Sequence, residues 1–215
     1  STVLELCKTR LPDNMHIPAE QIQVLTPTRK GPCGTVNLNR LLQEALNPKA
    51  PGKREILWGE RVFRVGDRIM QTRNDYDVVW QKADGTVGTG MFNGDVGRIV
   101  EIDQSGEWLA LDFDGRTAPY STEMLSEIDL AYAQTVHKAQ GSEYRCVVLA
   151  TMPSAPSLMV RGVLYTALTR ARKLLVMVGD DAAVRSMAAN DKQQKRYSGL
   201  KWRLCHAGDE VGQSE

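Results

Sequence analysis

Two uninterrupted apolar runs in the C-terminal half restrict the fold of this chain more than any other feature. They read CVVLAT over residues 146–151 and LLVMVG over residues 174–179, and a related run, QIQVLTPT, covers residues 21–28. Strands buried on both faces carry such continuous runs, whereas half-exposed strands alternate polar and apolar residues. Helical patterns separate the runs, over residues 131–139, 160–171 and 181–189. The alternation predicts an α/β fold: a parallel sheet with helices on both faces.

The first apolar run leads into a loop and a helix. The strand stops at Pro27, the loop contains Gly31 and Gly34, and leucines then recur at helical spacing until Asn47-Pro48 ends the helix. The carboxyl end of this strand opens onto four polar side chains, those of Thr26, Thr28, Arg29 and Lys30.

The middle of the chain has a different pattern. Residues 48–60 are rich in proline, glycine and charge, which indicates a connector. Short alternating runs follow and indicate strands over residues 61–72, 97–103 and 108–114, with a hairpin turn at Asn93-Gly94 and a mobile loop over 82–90. We therefore expect a small β-barrel of roughly five strands over residues 62–127. It interrupts an α/β domain made of residues 1–61 and 128–215.

Composition restricts the class of protein. The hydrophobic share of 42% and the charged share of 25% are those of an average soluble protein, and no window of eighteen apolar residues exists. The first residues lack the layout of a signal peptide, so we expect a cytoplasmic protein without a membrane span. Because 27 Lys and Arg face 26 Asp and Glu, any electrostatic site is local. A basic bias occurs in the tail, at Lys192, Lys195, Arg196, Lys201 and Arg203.

Several common catalytic patterns are absent from the sequence. It contains no GxxxxGK[ST] phosphate loop: Gly52-Lys53 is followed by Arg54. An α/β domain without that loop is not expected to bind nucleotide phosphates unaided. HExxH, GxSxG and CxxC motifs are also missing, which disfavours several hydrolase classes and a zinc site.

Residues 134–143, QTVHKAQGSE, hold more polar groups than a simple connector to the next strand needs. Gly141 allows the backbone to approach a phosphate or ribose, and Gln140 and Glu143 suit hydrogen bonds to a nucleotide. Thr135, His137 and Lys138 suit a polyanion backbone. Each residue alone fits a capped turn with solvated charges, but the set favours a site.

Residues 161–172, RGVLYTALTRAR, place Arg170 beside the apolar stripe of a helix. A guanidinium there can point into a cleft and stabilise charge on a γ-phosphate held by another domain. The spacing fits equally well a second arrangement, in which Arg170 or Arg172 caps the helix C-terminus.

Five blocks in this order resemble the C-terminal motor region of superfamily 1 helicases, and most closely the RecD-like group that includes exonuclease V alpha-subunits and conjugative-relaxase helicases. The blocks are LTPTRKGPCGTVNLNRLLQEALNP, GDRIMQTRNDY, FNGDVG, TVHKAQGSE and LYTALTRAR. The resemblance covers residues 18–180 and implies a RecA-like second motor domain that carries a small Src-homology-type β-barrel.

The resemblance also implies roles for single residues in ATP hydrolysis coupled to movement on DNA. Arg170 corresponds to an arginine finger. Residues implied at the ATP site are Gln140, Gly141 and Glu143, with Arg29 or Lys30 meeting a phosphate of either ATP or DNA. Residues implied at single-stranded DNA are Thr26, Thr135, His137 and Lys138.

The barrel offers aromatic side chains on which bases can stack. We expect Trp80, beside a polar loop, to be the exposed candidate, and Trp108 and Phe92 to fill the barrel core. Tyr76 is a further candidate, and Arg73 and Lys82 add positive charge.

The family's first motor domain, with its phosphate loop and its Mg²⁺-binding acidic pair, is missing from this sequence. We therefore expect the C-terminal half of an ATP-dependent DNA helicase of recombination and repair that moves 5′ to 3′. Its partners are ATP, Mg²⁺, single-stranded DNA and its own N-terminal motor domain, without which it is inactive. The alternative is a non-catalytic nucleic-acid or protein binding module of a nuclease (exodeoxyribonuclease) or relaxase complex.

Overall fold

The computed structural model describes residues 2–191. Its helices are α1 (Thr2–Glu5), α2 (Leu11–Met15), α3 (Thr35–Leu46), α4 (Arg161–Leu168) and α5 (Asp181–Ala189). Its strands are β1 (Ile22–Thr26), β2 (Glu55–Trp58), β3 (Arg61–Arg64), β4 (Arg68–Gln71), β5 (Asp75–Gln81), β6 (Val87–Met91), β7 (Val96–Ile102), β8 (Trp108–Phe113), β9 (Arg116–Ser121), β10 (Ile128–Leu130), β11 (Ala133–Thr135), β12 (Tyr144–Thr151) and β13 (Ala171–Gly179).

Four parallel strands form one sheet in the order β11-β1-β12-β13. The three apolar runs of the sequence are β1, β12 and β13, and the run over 146–151 is buried throughout. β13 is largely half-buried instead, because it is an edge strand with a neighbour on one side only. The predicted α/β fold with a parallel sheet is confirmed.

Helices cover both faces of the parallel sheet, as predicted. Val24 and Val148 share a buried cluster with Leu42 of α3. Leu25 and Leu149, whose side chains point to the opposite face, share a second cluster with α4 and α5. Burying one such leucine stabilises the fold by about 1.5–3 kcal/mol. Burial on both faces therefore determines which side chains of each strand point to α3 and which to α4 and α5.

The helix predicted over residues 131–139 does not form. Its first half is a turn followed by strand β11, which pairs with β1. The Asn39 side chain of α3 donates to the carbonyl oxygens of Leu130 and Ala133, at 2.9 and 3.0 Å, and accepts from the Ala133 amide at 2.7 Å. These three bonds outweigh the weak helical preference of the segment.

The helix predicted over residues 160–171 is shorter than expected. α4 ends at Leu168, and Thr169 and Arg170 form a turn in which the Arg170 amide donates to the Ala167 carbonyl oxygen. The chain then enters β13, where Ala171 pairs with Tyr144. α5 has the predicted bounds.

Seven antiparallel strands form the second sheet, in the order β10-β4-β7-β8-β9-β5-β6. Burial alternates along β8 and β9, and the inward side chains, among them Leu109, Phe113 and Tyr120, are fully buried. The sequence predicted about five strands. It missed the turn that separates β3 from β4, and it assigned part of β6 to a loop over 82–90.

Two local predictions in this middle block are wrong. Residues 55–58, placed in a connector, form β2 and pair with β3 as a separate two-stranded sheet. Asn93-Gly94 does turn the chain, with Gly94 at φ +101°, but it joins β6 to β7, which do not pair with each other. The turn is fixed instead by a bond from the Gly94 amide to the Gln71 carbonyl oxygen.

A buried carboxylate connects the second sheet to α3. Asp67, next to the start of β4, is fully buried and accepts from Gln43 at 2.5 Å, Asn47 at 2.7 Å and the Tyr132 hydroxyl at 2.9 Å. The Arg64 amide fills the remaining acceptor position at 2.7 Å. Because each acceptor position is occupied by a donor, this carboxylate fixes the orientation of the sheet on α3.

The basic tail residues, from Lys192 to Arg203, lie outside the described residues. Within residues 2–191, every helix is too short or too polar to cross a bilayer.

Candidate functional site: two opposite edges of the parallel sheet

The carboxyl edge of the sheet brings together the ends of β1 and β11. Thr26 and Thr135 are register partners, and the Val136 amide donates to the Thr26 carbonyl oxygen at 3.0 Å. Thr26 is only 1% exposed, and its hydroxyl accepts from the Thr28 amide at 3.4 Å. The Thr26 side chain therefore organises the loop, and it is too buried to meet DNA as the sequence predicted. Thr135 is half-buried.

The loop after β1 is held against the start of α3. The carbonyl oxygens of Thr28 and Arg29 accept from the amides of Thr35 and Val36, both at 3.2 Å. A Cβ on Gly34 would lie 2.5 Å from the Arg29 carbonyl oxygen, so only glycine fits there. This packing leaves the side chains of Arg29 and Lys30 exposed at a fixed position.

A charged cluster made of Arg29, Asp129 and Lys138 lies at this edge. The Arg29 guanidinium is 3.7 Å from the Asp129 carboxylate, which also pairs with Arg61 at 3.4 Å. Partial burial lowers the pKa of Lys138, the Asp129 charge raises it and the Arg29 charge lowers it again. Two cations close enough to affect each other favour a polyanion at this edge.

Residues 136–143, here called the crossing segment, run from the carboxyl edge at Thr135 to the amino edge at Tyr144. Thr135 starts it by accepting from Lys138 and Ala139 amides, at 3.3 and 3.1 Å. Val136 and Ala139 are buried against the sheet, so His137, Lys138 and Gln140 point outward and are exposed. Gly141 has φ +90° and open space around it, as a close approach by a ligand requires.

Arg170 lies at the amino edge, where the crossing segment ends. Its Nη1 donates to the Ser142 carbonyl oxygen at 2.9 Å and its Nε to the Thr166 carbonyl oxygen at 3.2 Å. Its own carbonyl oxygen accepts from the Tyr144 amide at 2.8 Å. No carboxylate of residues 2–191 forms an ion pair with this half-buried guanidinium. Its positive charge is thus oriented by neutral groups and remains uncompensated within the described part of the chain.

The neighbouring arginine differs in this respect. Arg172 Nε donates to Glu143 Oε2 at 2.7 Å, with both side chains largely exposed. Glu143, a predicted nucleotide contact, is therefore already in an ion pair.

The predicted site residues divide between the two edges. Gln140, Gly141, Glu143 and Arg170 are near or at the amino edge of the sheet, whereas Arg29, Lys30, Thr135 and Lys138 are near or at the carboxyl edge. Arg29 and Lys30 therefore lie at the opposite edge of the sheet from Glu143 and Arg170. Three features were missed, namely Asp129, the Ser142 carbonyl oxygen and the Arg172–Glu143 pair. Every residue has a backbone carbonyl group, so no feature of the sequence marks the one of Ser142 as part of the site.

The aromatic residues of the seven-stranded sheet do not follow the prediction. Phe92 and Trp108, expected in the core, are 42% and 41% exposed. Trp80, expected to be the exposed one, is half-buried and lies flat on Gly88, where a Cβ would be 2.3 Å from the indole ring. Tyr76 is exposed and meets Phe92 edge to face, with ring centroids 5.8 Å apart. Tyr76 and Phe92 thus form an exposed aromatic pair. Trp80 is half-buried because Gly88, which has no Cβ, leaves room for the indole.

A cavity of about 940 Å³ lies between the crossing segment and α4. Its lining includes His137, Gln140, Arg161 and Tyr165. Among residues 2–191, no group of three or more His, Cys, Asp or Glu side chains is arranged to hold a metal ion.

Comparisons with known proteins match two parts of the chain to helicase families. Residues 38–113 match the family model of the ATP-dependent RecD-like DNA helicase SH3 domain, and residues 130–178 match the UvrD-like helicase C-terminal domain. The chain is 37% identical over 185 residues to the ATP-dependent RecD2 DNA helicase of Deinococcus radiodurans, a match that covers 86% of this chain and 24% of the relative. It is 32% identical over 189 residues to the RecBCD enzyme subunit RecD of Mycolicibacterium smegmatis, covering 88% and 30%.

Solved structures share the fold. A Bacteroides Pif1 helicase, crystallised with ADP-AlF3 and single-stranded DNA, superposes with a TM-score of 0.52 at 16% identity, over 97% of this chain and 50% of that one. The chain thus spans about a quarter to a third of the length of its curated relatives and half of this neighbour.

Proposed function

From the premise that this chain carries a RecD-like helicase SH3 domain and a UvrD-like helicase C-terminal domain, we propose that it is the C-terminal motor region of an ATP-dependent DNA helicase. Residues 2–61 and 128–191 form the described part of its second motor domain, and 62–127 its barrel. The observation that carries the proposal is the orientation of Arg170, whose guanidinium is held by two carbonyl oxygens and no carboxylate of the described residues.

In this proposal ATP lies between the amino edge of the sheet and a first motor domain with a phosphate loop. Arg170 approaches the γ-phosphate when the two domains close, and stabilises the negative charge that develops there during phosphoryl transfer. Mg²⁺ is held by the acidic pair of that other domain, as the family resemblance implies. When bound, the ion neutralises phosphate charge.

Single-stranded DNA lies along the carboxyl edge in this proposal. Arg29, Lys30 and Lys138 supply positive charge to its phosphates, and His137 is exposed beside them. Because the crossing segment bonds to Thr26 at one end and to Arg170 at the other, it connects the DNA edge to the ATP edge. The two motor domains close when ATP binds and open after hydrolysis, and this ligand-driven domain closure changes their contacts with DNA. Direction of movement, 5′ to 3′, is carried over from the resemblance.

The test compares ATP hydrolysis by the 215-residue chain with hydrolysis by the complete helicase. We expect no hydrolysis by the chain alone and DNA-stimulated hydrolysis by the complete protein. A titration of the chain with single-stranded DNA at several salt concentrations is the second measurement. Tight binding by the chain, together with a complete protein that does not hydrolyse ATP, would contradict the motor and favour the binding module.

A further inference from the structure

Two arginines face each other across neighbouring strands of the seven-stranded sheet. Arg68 of β4 and Arg98 of β7 are register partners in an antiparallel pair, so their side chains leave the same face of the sheet. Like charges placed directly opposite one another destabilise a sheet. An anion in contact with both guanidinium groups would offset this repulsion.

The two side chains line one cavity of about 180 Å³. Its other walls include Glu20 and Tyr132, together with apolar side chains of β1 and α3, namely Ile22, Val24, Leu42 and Leu46. Arg98 and Glu20 are about half exposed and form the outer part, whereas Arg68 is half-buried. Both cations therefore line one cavity that is open to solvent on the side of Arg98 and Glu20.

The charges lining this cavity do not balance. Glu20 is its only carboxylate, and its oxygen is 3.5 Å from Arg98. Arg68 donates through Nη1 to the carbonyl oxygens of Glu20 and Ile22, at 3.5 and 3.2 Å. Within the described residues its Nε and Nη2 donate to nothing, and Asp67, the next residue along the chain, is already bonded to its own donors. One positive charge and two donor nitrogens of Arg68, Nε and Nη2, are left over.

Burial lowers the pKa of Arg68, the neighbouring hydroxyls of Tyr144 and Tyr132 and the Glu20 charge raise it, and the Arg98 charge lowers it. A bound anion would offset both the burial of the Arg68 charge and its repulsion from Arg98. Guanidinium groups in pairs bind phosphate through several parallel N–H···O bonds. At about 30 Å³ for each water, the cavity has room for about six waters, enough for a phosphate group and far too little for a nucleoside triphosphate.

We propose that Arg68 and Arg98 form a phosphate-binding pocket, separate from the two edges of the parallel sheet. It takes one phosphate group, either a free phosphate ion or the terminal phosphate of a nucleic-acid strand. Glu20 closes the pocket in the absence of the ligand and moves away from Arg98 when phosphate enters. The proposal stands whether or not the chain is part of a helicase.

The experiment titrates inorganic phosphate into the 215-residue chain in chloride buffer and measures the dissociation constant by calorimetry. Arg98→Gln is expected to weaken binding at least ~10-fold, because one charge-assisted bond is lost. Glu20→Gln is expected to tighten binding, since it removes the competing carboxylate. Arg185→Gln, which removes the same charge from the exposed surface of α5, is the matched control and leaves binding unchanged.

The source of the phosphate is separated with two oligonucleotides that differ only in a 5′-terminal phosphate. A preference for the phosphorylated strand that disappears in Arg98→Gln identifies a strand end, and equal binding of the two identifies the free ion. Lys138→Ala, at the carboxyl edge, should leave phosphate binding intact, which separates this pocket from the proposed DNA site. The pocket is refuted if the unsubstituted chain does not bind phosphate, or if Arg98→Gln binds it equally well.

Discussion

Arg170 and Ser142 are joined by a 2.9 Å hydrogen bond from guanidinium Nη1 to the backbone carbonyl oxygen. This bond connects the arginine at the amino edge of the parallel sheet to the end of the crossing segment. The start of that segment bonds to Thr26 at the opposite edge, through the Val136 amide. The two edges are therefore connected by one short stretch of backbone. Because a carbonyl oxygen accepts the bond, any residue type at position 142 can make it.

Replacing Lys138 by alanine should weaken the binding of single-stranded DNA by the complete helicase. Lys138 lies beside Arg29 at the carboxyl edge, and loss of one phosphate contact reduces the slope of log K against log salt by ~0.7. Fluorescence anisotropy with an oligo-dT probe at several salt concentrations measures both quantities. Lys8→Ala, on the exposed surface near the N-terminus, is the charge-matched control. An unchanged slope in Lys138→Ala would remove Lys138 from the DNA interface.

The pKa of Lys138 should respond in opposite directions to its two charged neighbours. Arg29→Gln raises it towards the ordinary lysine value, since a nearby positive charge disfavours the protonated form. Asp129→Asn lowers it further, since a stabilising negative charge is lost. An NMR titration of the lysine side-chain signals in the three proteins measures the shifts. Shifts of the same sign in both variants would show that the cluster is not arranged as described.

Gly34→Ala should destabilise the chain although its backbone is in an ordinary region. The added Cβ would lie 2.5 Å from the Arg29 carbonyl oxygen, and such overpacking costs about 1–3 kcal/mol of unfolding free energy. Gly162→Ala is the matched control, because no atom lies within 4 Å of its Cβ position in α4. There alanine should be neutral or stabilise by up to about 1 kcal/mol. Urea unfolding followed by circular dichroism compares the two, and equal midpoints would contradict the tight loop.

The sequence was sufficient for the parallel sheet because its strands are buried on both faces. A continuous apolar run such as residues 146–151 is compatible with few structures other than a buried strand. The predicted bounds of α5, which follows its cap residue Asp180, are also those of the structure. The helix prediction for residues 131–139 is wrong because the conformation of this segment depends on Asn39, which is distant in sequence. The Asn39 side chain donates to the Leu130 carbonyl oxygen and accepts from the Ala133 amide. A local pattern cannot contain that information.

The candidate site was only partly predictable for the same reason. The polar density of residues 134–143 and the position of Arg170 indicated a site, but not that the crossing segment would separate its residues onto two edges. The prediction of which aromatic residues are exposed is wrong: Phe92 and Trp108 are exposed, and Trp80 is half-buried. Trp80 is half-buried because Gly88, across the neighbouring strand, has no Cβ to keep the indole away from the backbone.

The central claim is that Arg170 stabilises the transferring phosphate, and Arg172 provides its control. Both side chains are arginines near the start of β13, but Arg172 is held in an exposed ion pair with Glu143 and Arg170 has no such partner among the described residues. Loss of an exposed pair costs at most about 1 kcal/mol, so Arg172→Ala should fold and hydrolyse ATP normally.

The most direct measurement is therefore the rate of DNA-stimulated ATP hydrolysis by Arg170→Ala and Arg172→Ala in the complete helicase, with nucleotide affinity measured alongside. An arginine finger contributes about 10³-fold or more to kcat. We expect Arg170→Ala to lose this factor while it still folds and binds nucleotide, and Arg172→Ala to retain the original rate. Normal turnover in Arg170→Ala, or an equal loss in both variants, would contradict the account.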